Sequence, residues 1–135
     1  MKKKGLIGKI LIIEDDEPTR EATILKFSQA GYAVDFAGDG EDGLKKLRKG
    51  KFTGVLLDLR LPKIDGFIFL ERKREVEALR EIPVMVFSNF SQVEFIDRAL
   101  DLGAKGYLIK AQHSVQEIVE ETINCFVKGQ CQIDR

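Results

Sequence analysis

The sequence predicts one α/β domain, a three-layer, doubly wound fold in which a five-stranded parallel sheet is covered by helices on both faces. Three observations carry that expectation. Short strand-like segments alternate with segments of helical period five times along the chain, the pattern of successive β-α units. The strand candidates KILII, VLL and VMVF are continuously apolar instead of alternating, as strands buried on both faces are. At 135 residues and 44% hydrophobic, the chain suits a single domain burying about two-thirds of its unfolded surface, and is short for two ordinary ones.

The elements follow in order. Lys9 to Ile13 reads as a first strand that stops at Glu14-Asp15-Asp16-Glu17. Pro18 suits the first turn of a helix that carries Ile24, Leu25 and Phe27 and ends at Gly31. Tyr32 to Ala37 is the second strand, and Asp39-Gly40-Glu41-Asp42 opens a helix with Leu44 and Leu47 that Gly50 stops. Phe52 to Leu57 is the third strand, broken abruptly by Asp58; Pro62 and Asp65-Gly66 then shape a loop. From Gly66 one charged helix, with Phe67, Phe69 and Leu70, is expected to run into the Arg74–Arg80 region. Val84 to Phe87 is the fourth strand, and Ser91-Gln92-Val93-Glu94 reads as a capping box for a helix ending at Gly103. Gly106 to Ile109 is the fifth strand, and Ser114-Val115-Gln116-Glu117 is a second capping box before a helix with Val115, Ile118, Val119, Thr122 and Phe126 on one face.

Composition narrows the function classes. Twenty-two basic residues balance 22 acidic ones, so no net attraction to nucleic acid or anionic lipid is expected. The start, Met1-Lys2-Lys3-Lys4, is basic, but the apolar stretch after it is too short for a signal peptide, and no segment approaches membrane-spanning length. Cys125 and Cys131 are the only cysteines; without CxxC spacing or clustered histidine they read as unpaired thiols of a reducing compartment, and the default location is cytoplasmic. His113, the only histidine, reads as a structural loop residue.

The chemistry lies at the strand ends. The first strand ends at Glu14-Asp15, the third at Asp58, the fourth at Ser88 and the fifth at Lys110. In a parallel sheet these emerge along one edge, the carboxyl edge, where open sheets bind ligands. Three converging carboxylates repel and tend to hold protons; a hard divalent cation, Mg²⁺ or Mn²⁺, relieves this. Carboxylate, cation, lysine and hydroxyl around one point meet the needs of phosphoryl transfer, with a carboxylate as acceptor nucleophile. Asp16 and Glu17 read instead as favouring a helix N-terminus.

The motifs IIEDDE, LLDLRLPKIDG, VFSN and GYLIK stand in the order and spacing of the response-regulator receiver domains of two-component signalling, which the chain resembles from Lys9 to Lys128. The resemblance implies a flavodoxin-like fold with strand order 2-1-3-4-5 and five helices, bounded by a basic extension over 1–8 and a polar tail over 129–135. It implies that Asp58 is the phosphoacceptor and that Glu14, Asp15, Asp58 and the backbone carbonyl of Arg60 hold Mg²⁺. It makes Lys110, Ser88 and Asn89 phosphoryl contacts, and Arg60 and Phe90 the side chains that tune dephosphorylation. Ser88 and Tyr107 become the switch pair, with Tyr107 turning into space that Ser88 vacates. Its partners would be a sensor histidine kinase or histidine phosphotransfer protein and an output protein. No nucleic acid or membrane would be bound directly, and the domain would be a monomer or a phosphorylation-dependent dimer. It would catalyse only its own phosphorylation and dephosphorylation.

The sequence also departs from the family. Ala111 follows Lys110 where the family commonly has a proline, often cis; a cis bond before Ala costs about 3 kcal/mol, which favours trans. Asn89 stands where a small residue is common. Three other readings stay open: a Mg²⁺-dependent phosphohydrolase working through an aspartyl phosphate, a flavodoxin-like cofactor binder, and an inactive receiver-like scaffold. The first lacks a second acid beside Asp58, where Arg60 stands, and any cap insertion. The second would need a Gly-rich phosphate loop where the acidic Glu14–Glu17 lies.

Overall fold

A computed structural model describes residues 6–135. Five strands, β1 (Gly8–Ile13), β2 (Tyr32–Ala37), β3 (Gly54–Leu57), β4 (Val84–Ser88) and β5 (Gly106–Ile109), form one sheet in the order β2-β1-β3-β4-β5. Every pairing is parallel, with Ile13 beside Ala37 and Leu57, and Val86 beside Leu57 and Tyr107. Six helices cover it: α1 (Glu17–Gln29), α2 (Gly40–Lys49), α3 (Gly66–Glu75), α4 (Glu77–Arg80), α5 (Val93–Asp101) and α6 (Val115–Lys128).

Strands β1, β3, β4 and β5 carry continuous apolar runs because each feeds two cores, whereas the edge strand β2 keeps Asp35 and a 39%-exposed Phe36. Leu11, Ile13, Leu57, Val86 and Tyr107 face one layer, packed with Leu44, Leu47, Phe69, Leu79 and Ile96 from α2 to α5. Ile10, Ile12, Leu56, Phe87 and Leu108 face the other, with Phe27 of α1 and Ile118, Val119 and Cys125 of α6. Successive side chains of a strand point to opposite faces, so an unbroken apolar run fills both layers at once.

Several local expectations hold. Asp16, Asp39 and Asp65 N-cap α1, α2 and α3 through their side chains, and Ser114 and Glu117 form the full capping box of α6. There are no cis peptide bonds among the described residues, so Lys110-Ala111 is trans.

Three expectations are corrected. The helix expected to run from Gly66 to Arg80 is two, which raises the helix count from five to six. Val76 turns extended (φ −101°, ψ 110°) while its side chain packs on the core. Arg74 O, freed by the break, is taken up by Arg80 Nε at 3.0 Å, and Lys73 Nζ donates to Arg80 O at the end of α4 at 3.3 Å. The capping box at Ser91 is absent: α5 starts one residue later with Gln92 as its N-cap and no side-chain bond. Stacking of Phe90 on Phe95, ring centres 4.9 Å apart, sets the entry of that helix instead.

The cysteines are not free thiols: Cys125 and Cys131 form a disulfide. The polar segment past Lys128 is bound to the sheet. Gly129 adopts φ 71° and ends α6 in a left-handed turn, a conformation glycine takes without steric cost. The chain then returns to β5, where Ile133 forms a parallel bridge with Tyr107. Tyr107 N–H donates to Gln132 O at 3.0 Å, and Asp134 N–H to Tyr107 O at 2.8 Å. The Asp134 carboxylate is buried and accepts from Ile109 N–H at 2.8 Å, with His113 Nε2 at 2.6 Å. His113 is structural, as expected, and its partner lies in the polar segment 129–135.

Candidate phosphoryl-transfer site

Backbone ladders that run one residue past the strands place the acidic residues. Asp58 N–H donates to Ile13 O at 3.0 Å and Glu14 N–H to Ala37 O at 3.0 Å. Both carboxylates therefore leave the carboxyl edge side by side, Glu14 fully buried and Asp58 nearly so. Behind Asp58 the loop closes tightly: Gly66 N–H donates to Leu59 O at 2.9 Å, and a Cβ on Gly66 would lie 2.7 Å from Asp58 O and from the Leu59 Cα. Only glycine leaves that space free.

Lys110 enters from the end of β5. Its Nζ lies 2.6 Å from Glu14 Oε1 and 3.1 Å from Asp58 Oδ2. The second Asp58 oxygen accepts the Arg60 N–H at 3.3 Å, and Glu14 Oε2 accepts the Asp16 N–H at 3.2 Å. Burial, reinforced by the neighbouring Asp58, pushes the Glu14 carboxyl up to about 6 although Lys110 pulls the other way. Burial works against the Lys110 ammonium, but Asp58 and Glu14 outweigh it and its pKa is raised. The charged lysine is held between two acids, one of which titrates close to neutrality.

Asp15 is exposed, yet one oxygen from each of Glu14, Asp15 and Asp58 lies within 4.8 Å of the others. An all-carboxylate set without imidazole or thiol fits a hard divalent cation and not zinc. The open pocket above is lined by Glu14, Asp15, Asp58, Ser88 and Lys110, and also by Arg60, Asn89 and Phe90. All the sequence-predicted residues except Tyr107 thus line one pocket; Thr19 and Phe67 also line it and were not anticipated. Thr19 carries no motif, but it follows Asp16 by three residues and its N–H is what that cap binds, at 3.0 Å.

Ser88 and Tyr107 grip one residue from two sides. Ser88 Oγ accepts the Phe90 N–H at 3.1 Å, and the Tyr107 hydroxyl donates to Phe90 O at 2.7 Å. Tyr107 is fully buried. The ring lies inside, with its hydroxyl on Phe90 O.

The chain is similar to known proteins over most of its length. The family model of the response regulator receiver domain matches residues 10–122. A protein-glutamate methylesterase/protein-glutamine glutaminase 1 of Myxococcus xanthus (strain DK1622) is 38% identical over 122 residues, 89% of this chain and 34% of that protein. The transcriptional regulatory protein DltR of Streptococcus agalactiae serotype III (strain NEM316) is 39% identical over 102 residues, 76% of this chain and 45% of that one. The chain therefore spans less than half the length of these relatives. The chemotaxis response regulator CheY4 of Vibrio cholerae, at 24% identity, shares the fold with a TM-score of 0.81, covering 92% of this chain and all of that one. No helix among the described residues is long and apolar enough to cross a membrane. With a family model spanning most of its length and relatives well above 30% identity, the chain belongs to the response regulator receiver domains.

Proposed function

We propose that this domain accepts a phosphoryl group on Asp58 from a phosphohistidine of a sensor kinase or phosphotransfer protein, and that the phosphorylated form presents an altered surface to an output protein. The observation that carries the reading is the pairing of Asp58 with Lys110 at 3.1 Å, beside Glu14 and Asp15, in an open pocket at the carboxyl edge. Asp58 attacks phosphorus, the P–N bond breaks, its electron pair returns to the imidazole, and an acyl phosphate forms on Asp58. Glu14, Asp15, Asp58 and the Arg60 carbonyl would hold Mg²⁺ or Mn²⁺, which neutralises oxygens of the carboxylates and the phosphoryl group. Lys110 neutralises phosphoryl oxygens from the β5 side, Ser88 donates its hydroxyl hydrogen while still accepting from Phe90, and the Asn89 amide lies at the rim.

The switch runs through Phe90. Phosphoryl contact pulls on Ser88, Ser88 holds the Phe90 N–H, and Phe90 stacks on Phe95 in α5. The face formed by α5, β5 and α6 responds, with Ser88 and Tyr107, which both hold Phe90, as the switch pair. Arg60 and Phe90 flank the pocket as bulky side chains that are neither acid nor amide, so water is poorly oriented and the acyl phosphate is long-lived. The domain turns over no metabolite and works in the cytoplasm.

Intact-mass analysis after acetyl phosphate and Mg²⁺ tests this. One phosphoryl adduct is expected, absent from Asp58→Asn and absent in EDTA. Undiminished labelling of Asp58→Asn would overturn the assignment.

A further inference from the structure

Nothing in phosphoryl acceptance needs the segment 130–135, yet that segment is bound to the sheet. It lies on the outer edge of β5, where a strand presents unpaired N–H and C=O groups. Gln132 O and the Asp134 carboxylate take the Tyr107 and Ile109 N–H groups, and Asp134 N–H takes Tyr107 O. The edge has no room for a side chain at its start: a Cβ on Gly106 would lie 2.7 Å from Gln132 O.

Beyond its hydrogen bonds, little apolar burial holds this short strand. Only one bridge pair forms, Cys131 and Ile133 are its only apolar side chains, and Ile133 stays 39% exposed. The Arg135–Asp97 ion pair is exposed on both sides. Short segments with so little burial fray unless tied down. The tie is covalent: Cys125, buried in α6, is bonded to Cys131 across the Gly129 turn.

We propose that residues 130–135 are a redox-latched sixth strand. The Cys125–Cys131 disulfide keeps them on β5, and reduction by a dithiol reductant opens that edge. The reductant's thiolate attacks the Sγ of Cys131, the less buried of the two residues. The S–S bond breaks, and its electron pair leaves on Cys125, which takes up a proton. The reductant's second thiol then resolves the mixed disulfide, releasing Cys131 as a thiol and leaving the reductant as its own disulfide. Because Asp134 binds the residue before Lys110 and the ring of His113 three residues after it, the latch reaches the loop that carries Lys110. That this edge belongs to an output face rests on the function proposed above; the opening of the edge does not.

Amide exchange followed by NMR on the full, unphosphorylated chain tests it, with thiols counted in each state. Reduction with dithiothreitol should lower protection at Tyr107 and Ile109 at least tenfold. Leu108 should keep its protection, because alternate amides of β5 face β4. Cys131→Ser should show the open pattern under oxidising conditions. Unchanged protection in a chain with two counted thiols would overturn the latch. So would equal loss at Leu108, which means the strand melts, or two free thiols in oxidised protein. Failure of phosphorylation in the same sample bears only on the function of Asp58.

Discussion

Two buried carboxylates, Glu14 in the acidic pocket and Asp134 on the β5 edge, are both pushed up by burial yet end on opposite sides of the usual carboxylate range. Glu14 is pushed up to about 6 by burial and by Asp58, against the single cation of Lys110. Burial also raises Asp134, but the Ile109 N–H, the Gln132 amide and His113 outweigh it and hold the carboxyl below its usual range. Donors aimed at the oxygens, more than depth, decide the charge. The pocket keeps a carboxylate that is easily neutralised, ready for an incoming charge. The edge uses its carboxylate as a fixed bolt.

That contrast can be broken, and the largest effect is expected at Lys110. Lys110→Met leaves Glu14 and Asp58 together without their cation. We expect a loss of about 2–4 kcal/mol at pH 7.5 in EDTA, toward the range for breaking a buried pair and reduced by partial solvent access. The loss should shrink at pH 5, where Glu14 takes up a proton. Denaturant melts at the two pH values measure it; equal losses would contradict the charge account.

Next comes the parent protein's own pH profile. Glu14 has a folded pKa of about 6 against an ordinary 4.5, so its contribution is fully present below pH 4.5 and is lost as pH rises through 6. The shift of about 1.5 units corresponds to roughly 2 kcal/mol, and Glu14→Gln should remove that slope. Asp134 has the opposite sign: its contribution is present above its ordinary pKa and is lost as pH falls through the lowered one. Asp134→Asn should cost about 1 kcal/mol at neutral pH and flatten only the acid limb.

The smallest effects separate two serines. Ser114→Ala removes a real cap of α6 and should cost about 1 kcal/mol, whereas Ser91→Ala, outside any side-chain cap, should change stability by less than about 0.5 kcal/mol. Thermal melts of the two variants side by side measure the difference.

The same division explains what the sequence discloses. Strand order aside, the pocket is legible because each residue stands at the end of an apolar run, where chain direction alone delivers it to the carboxyl edge. Asp16, Asp39, Asp65 and Ser114 are legible because a cap binds its own neighbours. The break at Val76 carries no glycine or proline; Val76 packs on the core there and Arg80 collects the freed Arg74 carbonyl. Ser91 fits a capping box in spacing, but aromatic packing between Phe90 and Phe95 moves the helix start past it. The pairing of Cys125 with Cys131 depends on the Gly129 turn, and the role of Asp134 on a strand it does not adjoin in sequence. Long-range partnerships of single residues leave no local pattern.

The buried anchor of Phe90 has a spectroscopic consequence. The chain has no tryptophan and two tyrosines, and both are buried, one in each layer: Tyr107 with the α2–α5 core and Tyr32 with the α1–α6 core. Intrinsic phenol emission therefore comes from two sites separated by the sheet. Tyr32→Phe leaves a reporter only on the layer behind Phe90, and Tyr107→Phe leaves one only on the layer that α6 covers. With this pair of single-tyrosine proteins, an optical measurement can ask whether the two halves of the sandwich loosen together or one before the other.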